Sequence, residues 1–345
     1  MNLVARTTRA VPFPRRIYKW MPVISLAVAA CGGKLNAGSD EPHGALPVDE
    51  RNPVVLCNDG WSDNWQGEYA MLFASTGSLT LAGIIINDGW PWTNLDENIT
   101  GWRNMVAAAT SSGLGNIPDP IASTGPSLVR PSDGNIDATK PNRSEGALFI
   151  LDAAKRLSLP FRPLVVVTGG RPTDVADAYL MDHTLPERVV VVSALGWPND
   201  NGASMGVPNG ELDTWADTIV AQKFRFIQTS VYYDKAADVP ASLLTQLPSN
   251  DFTDWIKAKQ SKVENGYDQV AVQVVAMPSV IVSQSRVVQR GVDSDNYPLL
   301  VNDPNGPDWL VTQSSSALAT ARFWQMLLAP TTFAPNASST HDAGP

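Results

Sequence analysis

The chain has 345 residues, enough for one large hydrophobic core, and its formal charge of −9 argues against nucleic acid as a partner, which needs a concentrated basic surface. Two cysteines can build neither a disulfide scaffold nor a four-thiolate zinc site, and of the three histidines His43 and His341 lie in polar terminal stretches. With only His183 left inside the folded part, zinc-protease motifs and Ser-His-Asp triads are effectively excluded. One formal nucleophile-elbow match exists, Gly202-Ala203-Ser204-Met205-Gly206, but no helical pattern follows Ser204, so it reads as a glycine-rich loop.

The amino-terminal stretch 1–30 carries Arg6, Arg9, Arg15, Arg16 and Lys19, no acidic residue, and then a short apolar run before Cys31-Gly32-Gly33. This is the pattern of an export signal, and the run is too short to span a bilayer. Val28-Ala29-Ala30-Cys31 resembles the bacterial lipobox, which makes Cys31 the expected lipidation site and the protein an exported, membrane-anchored lipoprotein, periplasmic or at the cell surface. Loss of a +5 leader takes the charge from −9 to −14. Residues 31–51 are rich in Gly, Ser, Pro and Asp without periodicity and read as a flexible tether, and 330–345 as a disordered tail. The folded domain is expected over 52–329.

Within it, short β-branched runs alternate with helical patterns. In chain order they predict a strand at 54–57, a helix at 65–75, a strand at 79–86, a helix at 145–156, a strand at 164–168, a helix at 173–181 and a strand at 188–193. A helix at 212–222, a strand at 224–228 and helices at 251–261 and 268–276 follow. Apolar strands linked by helices predict an α/β fold, an open, mostly parallel sheet with helices on both faces. Ligands of such sheets sit beyond the carboxyl ends of the strands. Here those positions are acidic: Asn58-Asp59-Gly60-Trp61-Ser62-Asp63-Asn64 after the first strand, and Asn87-Asp88-Gly89-Trp90 after the second. The repeated Asn-Asp-Gly-Trp also satisfies simple turn chemistry. Gly169-Gly170-Arg171-Pro172-Thr173-Asp174 closes the 164–168 strand and opens a helix, its glycines serving either a ligand's approach or the turn itself.

The segment from Val54 to Asn64 resembles the amino-terminal signature of the inosine-uridine preferring nucleoside hydrolases, a strand ending in Asp-x-Asp-x-x-x-Asp-Asp. Three further blocks are similar to that family's in the same order: 164–178, Gly210-Glu211-Leu212-Asp213-Thr214-Trp215-Ala216-Asp217, and Tyr267-Asp268-Gln269-Val270-Ala271-Val272. The resemblance implies a calcium ion at the bottom of the pocket that orients the ribose and lowers the pKa of a bound water. It implies Asp59 as metal ligand and general base, Asn64, the Thr173 carbonyl and Asp268 as further ligands, and Asp63, Glu211 and Asp213 as partners of ribose hydroxyls. An oxygen-rich set suits a hard cation, and nearby carboxylates stabilise an oxocarbenium-like ribosyl transition state.

The chain departs from the family pattern in several places. Cys57 replaces the first aspartate and Asn64 the fourth, which leaves two of three ligating carboxylates and weakens the expected calcium site. Trp90 stands where the family has an asparagine, Asp213 replaces another, and Tyr267 replaces a histidine linked to leaving-group protonation. With an ordinary pKa near 10, tyrosine is a weaker acid than imidazolium. Trp61, Trp65, Trp90 and Trp92 cluster near the same edge and could stack on a base or sugar, at about 1–3 kcal/mol per base, or cover core. Cys57, ending a buried strand, reads as an apolar filler. The expected function is hydrolysis of the N-glycosidic bond of a ribonucleoside or related ribosyl compound. Alternatives are a lipoprotein of the same fold that only binds a nucleoside or carbohydrate, and a glycosidase acting on an O-glycoside.

Overall fold

The structure, a computed structural model, describes residues 46–60, 65–89, 93–194, 208–229, 241–260, 268–292 and 298–328. In chain order the elements are β1 (Pro53–Asn58), α1 (Gln66–Ser75), β2 (Thr80–Ile86), α2 (Leu95–Ser111), β3 (Pro120–Ala122), α3 (Glu145–Leu157), β4 (Leu164–Gly169) and α4 (Thr173–Met181). They continue with β5 (Val189–Ala194), α5 (Pro208–Glu211), α6 (Thr214–Lys223), β6 (Arg225–Thr229), α7 (Ala241–Leu244), α8 (Asp251–Gln260) and α9 (Gln269–Ala276). The last are β7 (Ile281–Val292), β8 (Pro298–Asn302), β9 (Asp308–Ser314) and α10 (Ser316–Leu328).

The described strands form one nine-stranded sheet in the order β3-β2-β1-β4-β5-β6-β9-β7-β8. It is parallel from β3 to β9, and β7 and β8 run antiparallel at the far edge. The expected open α/β fold is therefore the observed one. All residues of β1, β4 and β5 are buried, because helices cover both faces of the sheet. Alternation along β1 sends Val54 and Leu56 to one face, packed with α1, α2, α8, α9 and α10, and Val55 and Cys57 to the other, packed with α3, α4 and α6.

Local sequence sets the helix starts. Asn94 caps α2 by accepting the Glu97 N–H at 2.9 Å, and Ser144 caps α3 by accepting the Ala147 N–H at 3.2 Å. All ten residues of α1 are buried, so its pattern is that of an interior helix rather than an amphipathic one. Val48 already packs in the core, ahead of residue 52. No described helix is long and apolar enough to cross a membrane.

The sequence pattern gives no sign of α2, β3, α5, α7, β7, β8, β9 or α10. In β7 the side chains alternate poorly between buried and exposed, and bulges shift the register against β9 after Ile281 and Ser283 and against β8 after Gln289. β3 has only three residues.

The topology fixes where a ligand can bind. From β1 the chain moves outward to β2 and β3, then returns to place β4 on the other side of β1. The carboxyl ends of β1 and β4 thus flank the topological switch point.

Candidate active site

The loop after β1 is built on Asn58. Its side-chain oxygen accepts the Gly60 N–H at 2.9 Å, an Asx turn, and the Trp102 indole N–H at 3.2 Å. Its amide donates to Gln66 Oε1 at 2.8 Å and to the Gly169 carbonyl at 3.2 Å. Trp102, from α2, also donates to the Gly60 carbonyl at 2.7 Å, so the first Asn-Asp-Gly is locked from both sides.

Asp59, which follows, is held by its main chain. Its carbonyl accepts the Thr93 hydroxyl at 2.8 Å and the side-chain amide of Asn98. The backbones of the neighbouring loops close in on it. A Cβ on Gly170 would lie 2.7 Å from the Asp59 nitrogen, and one on Gly89 would lie 3.3 Å from its Oδ2. Glycine at both positions is therefore a packing requirement, and the glycine pair after β4 serves the turn, Gly169 lying against Gln66 and Gly170 against Asp59.

Asp268 sits at the amino end of α9, 4% exposed, and makes no side-chain cap bond there. Gln66 ties it to β1, since Gln66 Nε2 donates to the Asp268 carbonyl at 3.2 Å while its Oε1 accepts from Asn58. Asn209 reaches Asp268 Oδ1 at 3.3 Å and the Ala194 carbonyl, at the end of β5, at 3.1 Å. Asp59 and Asp268 are thus fastened to one edge of the sheet through Asn58, Gln66 and Asn209.

The second Asn-Asp-Gly does a different job. Asn87 donates to the Arg171 carbonyl at 3.2 Å and to Asp174 Oδ2 at 3.3 Å, pinning the β4–α4 turn to the end of β2. Asp174 also accepts the hydroxyls of Ser123 and Ser144 at 2.6 and 2.8 Å. Burial nevertheless raises its pKa, the three donors only partly offsetting it.

Thr173 and Asp213 meet directly, the Thr173 hydroxyl donating to Asp213 Oδ2 at 2.7 Å. The same oxygen accepts the Leu128 N–H at 2.9 Å, and Oδ1 accepts the Ala216 N–H at 3.0 Å as the cap of α6. Burial raises the Asp213 pKa against the pull of these donors and of Arg171. A carboxylate so engaged is occupied in holding three chain segments together. Glu211 is exposed at the end of α5. Trp65 is fully buried, edge-on to Phe323 with centroids 5.7 Å apart, so it belongs to the core. Cys57 is buried, its thiol pKa raised by burial and by Asp174, as an inert filler requires. Cys31, Asp63, Asn64, Trp90 and Tyr267, with Trp61, Trp92 and the 202–206 loop, lie outside the described residues.

Among the described residues no three of His, Cys, Asp and Glu are grouped so as to hold a metal ion. The two expected carboxylate ligands that are described, Asp59 and Asp268, offer only oxygen, and the remaining expected side-chain ligand, Asn64, falls outside the described residues. That donor chemistry fits a hard cation such as calcium and not a soft one.

No family model matches the chain, and no curated protein does. Solved structures do. An inosine-guanosine nucleoside hydrolase superposes with a TM-score of 0.60 at 16% identity, over 80% of this chain and 99% of its own. The fold is that of the nucleoside hydrolases. A purine-preferring ribonucleoside hydrolase from Gardnerella vaginalis gives 0.56 at 15% identity over 82% and 99% of the two chains. The type III effector protein XopQ, solved with adenosine diphosphate ribose, gives 0.53 at 11% over 85% and 96%.

Gln66, Asn98 and Asn209, which shape this edge, carry no sequence signal of function, while Asn58 and Arg171 lie inside the two motifs noted at the strand ends without a role of their own.

Proposed function

We propose that the protein is a glycoside hydrolase that cleaves the N-glycosidic bond of a ribonucleoside or related ribosyl compound, with Asp59 as the base. The observation that carries this reading is the tethering of Asp59 and Asp268 to one strand edge at the switch point, in a fold whose solved examples act on nucleosides or hold ADP-ribose. Asp59, Asn64, Asp268 and the Thr173 carbonyl would hold calcium, which when bound supplies a water of lowered pKa. The chain's own part is to orient that water's proton toward the Asp59 carboxylate, to present ribose hydroxyls to Asp63 and Glu211, and to place Trp90 against the base and Tyr267 near the leaving group. The leader and Cys31 support an exported, lipid-anchored form.

The test is ribose release from a nucleoside panel, with and without calcium. Asp59→Asn is expected to lower kcat by about 10²–10⁴-fold with the circular dichroism spectrum unchanged. A second reading, a protein that binds nucleosides without turning them over, is favoured by the engagement of Asp213 with three protein donors. It stands if no nucleoside is cleaved at saturating calcium while one still raises the melting temperature.

A further inference from the structure

Arg171 follows Gly169 and Gly170 at the end of β4 and precedes α4 by a single proline. It is 8% exposed, its Nε is enclosed without a partner, and its guanidinium donates no hydrogen bond among the described residues. Its main chain is firmly placed, because the carbonyl accepts from Asn87 at 3.2 Å. The guanidinium acts on the Asp213 carboxylate through space, but the oxygens of that carboxylate are taken by Thr173, Leu128 and Ala216. Arginine stays charged and carries five N–H donors in a fixed fork matched to carboxylate or phosphoryl oxygens. An enclosed Nε–H with no acceptor is costly, and a fork held in this way is ready for an acceptor brought from outside.

The start of α4 points the same way. Pro172 precedes the helix and provides no side-chain cap, so the positive end of the helix dipole is left to other acceptors. The turn also presses on Asp59 through Gly170, which puts it beside the candidate base. The nearby acids Asp174 and Asp213 spend their oxygens on inward donors.

We propose that Arg171 and the amino end of α4 form an anion subsite next to Asp59, and that the ligand is a ribosyl compound bearing a phosphoryl group. This rests on the ribosyl reading above for the rest of the ligand. It makes Arg171 a specificity-determining residue rather than a catalytic one.

The test is calorimetry on the full chain with adenosine, AMP, ADP-ribose and inorganic pyrophosphate, for the wild type, Arg171→Gln and Arg171→Lys. AMP or ADP-ribose should bind the wild type at least about tenfold tighter than adenosine, and the better of the two tells a terminal phosphoryl from a bridging diphosphate. Arg171→Gln should erase that preference and leave adenosine affinity unchanged, while Arg171→Lys keeps part of it. The ligand-free Arg171→Gln protein should melt no lower than the wild type, whereas a purely structural arginine would lower it. Equal affinity of the wild type for AMP, ADP-ribose and adenosine overturns the subsite, and that ratio decides even if a variant fails to fold. Cleavage of adenosine without any phosphate preference overturns the subsite and leaves the hydrolase reading intact. Arg171-dependent pyrophosphate binding with no nucleoside binding supports the subsite and removes the ribosyl reading.

Discussion

Two groups of acids near the ends of the parallel strands are held in different ways. The carbonyls of Asp59 and Asp268 are held by side chains from other elements, by Thr93 and Asn98 in one case and Gln66 in the other, and Asn209 also reaches Asp268 Oδ1. Asp174, Asp177 and Asp213 are fixed through their carboxyl groups. Asp177 alone accepts the N–H groups of Asn142, Arg143 and Ser144 and the Ser144 hydroxyl, which shapes the turn before α3. A residue whose main chain is anchored on its own account can lose its carboxyl group at less cost to the fold than one whose carboxyl group gathers several N–H donors. An acid that organises N–H groups cannot be spared.

Replacement of Asp213 by alanine puts that contrast under the greatest strain. It strands the buried Thr173 hydroxyl and two N–H groups and removes the α6 cap, so unfolding in urea should show a loss of about 2–4 kcal/mol. A loss no greater than that of Asp59→Asn would erase the distinction. Gly170→Ala tests the contact between the two groups. Its methyl would meet the Asp59 backbone at 2.7 Å, which should cost about 1–3 kcal/mol and reduce turnover together with stability. Unchanged stability would show that the turn can back away.

The smallest expected effect concerns Asp217, a buried acid at the start of α6 with an unpartnered oxygen. It is 2% exposed, its Oδ2 has no donor, and burial first, then the Asp213 charge, raises its pKa from 3.8 to about 7. Because the folded state holds this proton more tightly than the unfolded state, stability from Asp217 is full below about pH 4 and is lost as pH rises through about 7. Asp217→Asn should therefore match the wild type at or below about pH 4 and be the more stable of the two at pH 8. Parallel pH profiles for the two proteins would contradict this.

The parallel half of the fold was legible because β1, β4 and β5 are β-branched runs buried on both faces, a pattern that survives without knowledge of the partners. The antiparallel edge was not, because β7 alternates poorly between faces and carries two register shifts against β9. Asp59 and Asp268 are expected as site residues from the order of short motifs alone. Gln66 was not, since its meaning lies in a bond to a carbonyl 202 residues away. Asn98 looks like an ordinary polar helix residue until its amide is seen against the Asp59 and Asn87 carbonyls. Arg171 stands out only once its burial is known. Polar residues that bridge distant loops leave no periodicity behind.

Burial of Cys57 in the central strand has a practical consequence. The sequence holds one other cysteine, Cys31, in the amino-terminal stretch, so a protein cleaved ahead of the folded domain carries a single thiol. That thiol is enclosed on the face shared with α3, α4 and α6, and its anion is disfavoured both by burial and by Asp174. Alkylation must then wait for β1 to leave the middle of the sheet. The rate of thiol exchange under native conditions would report global opening directly, without a denaturant and without an introduced probe.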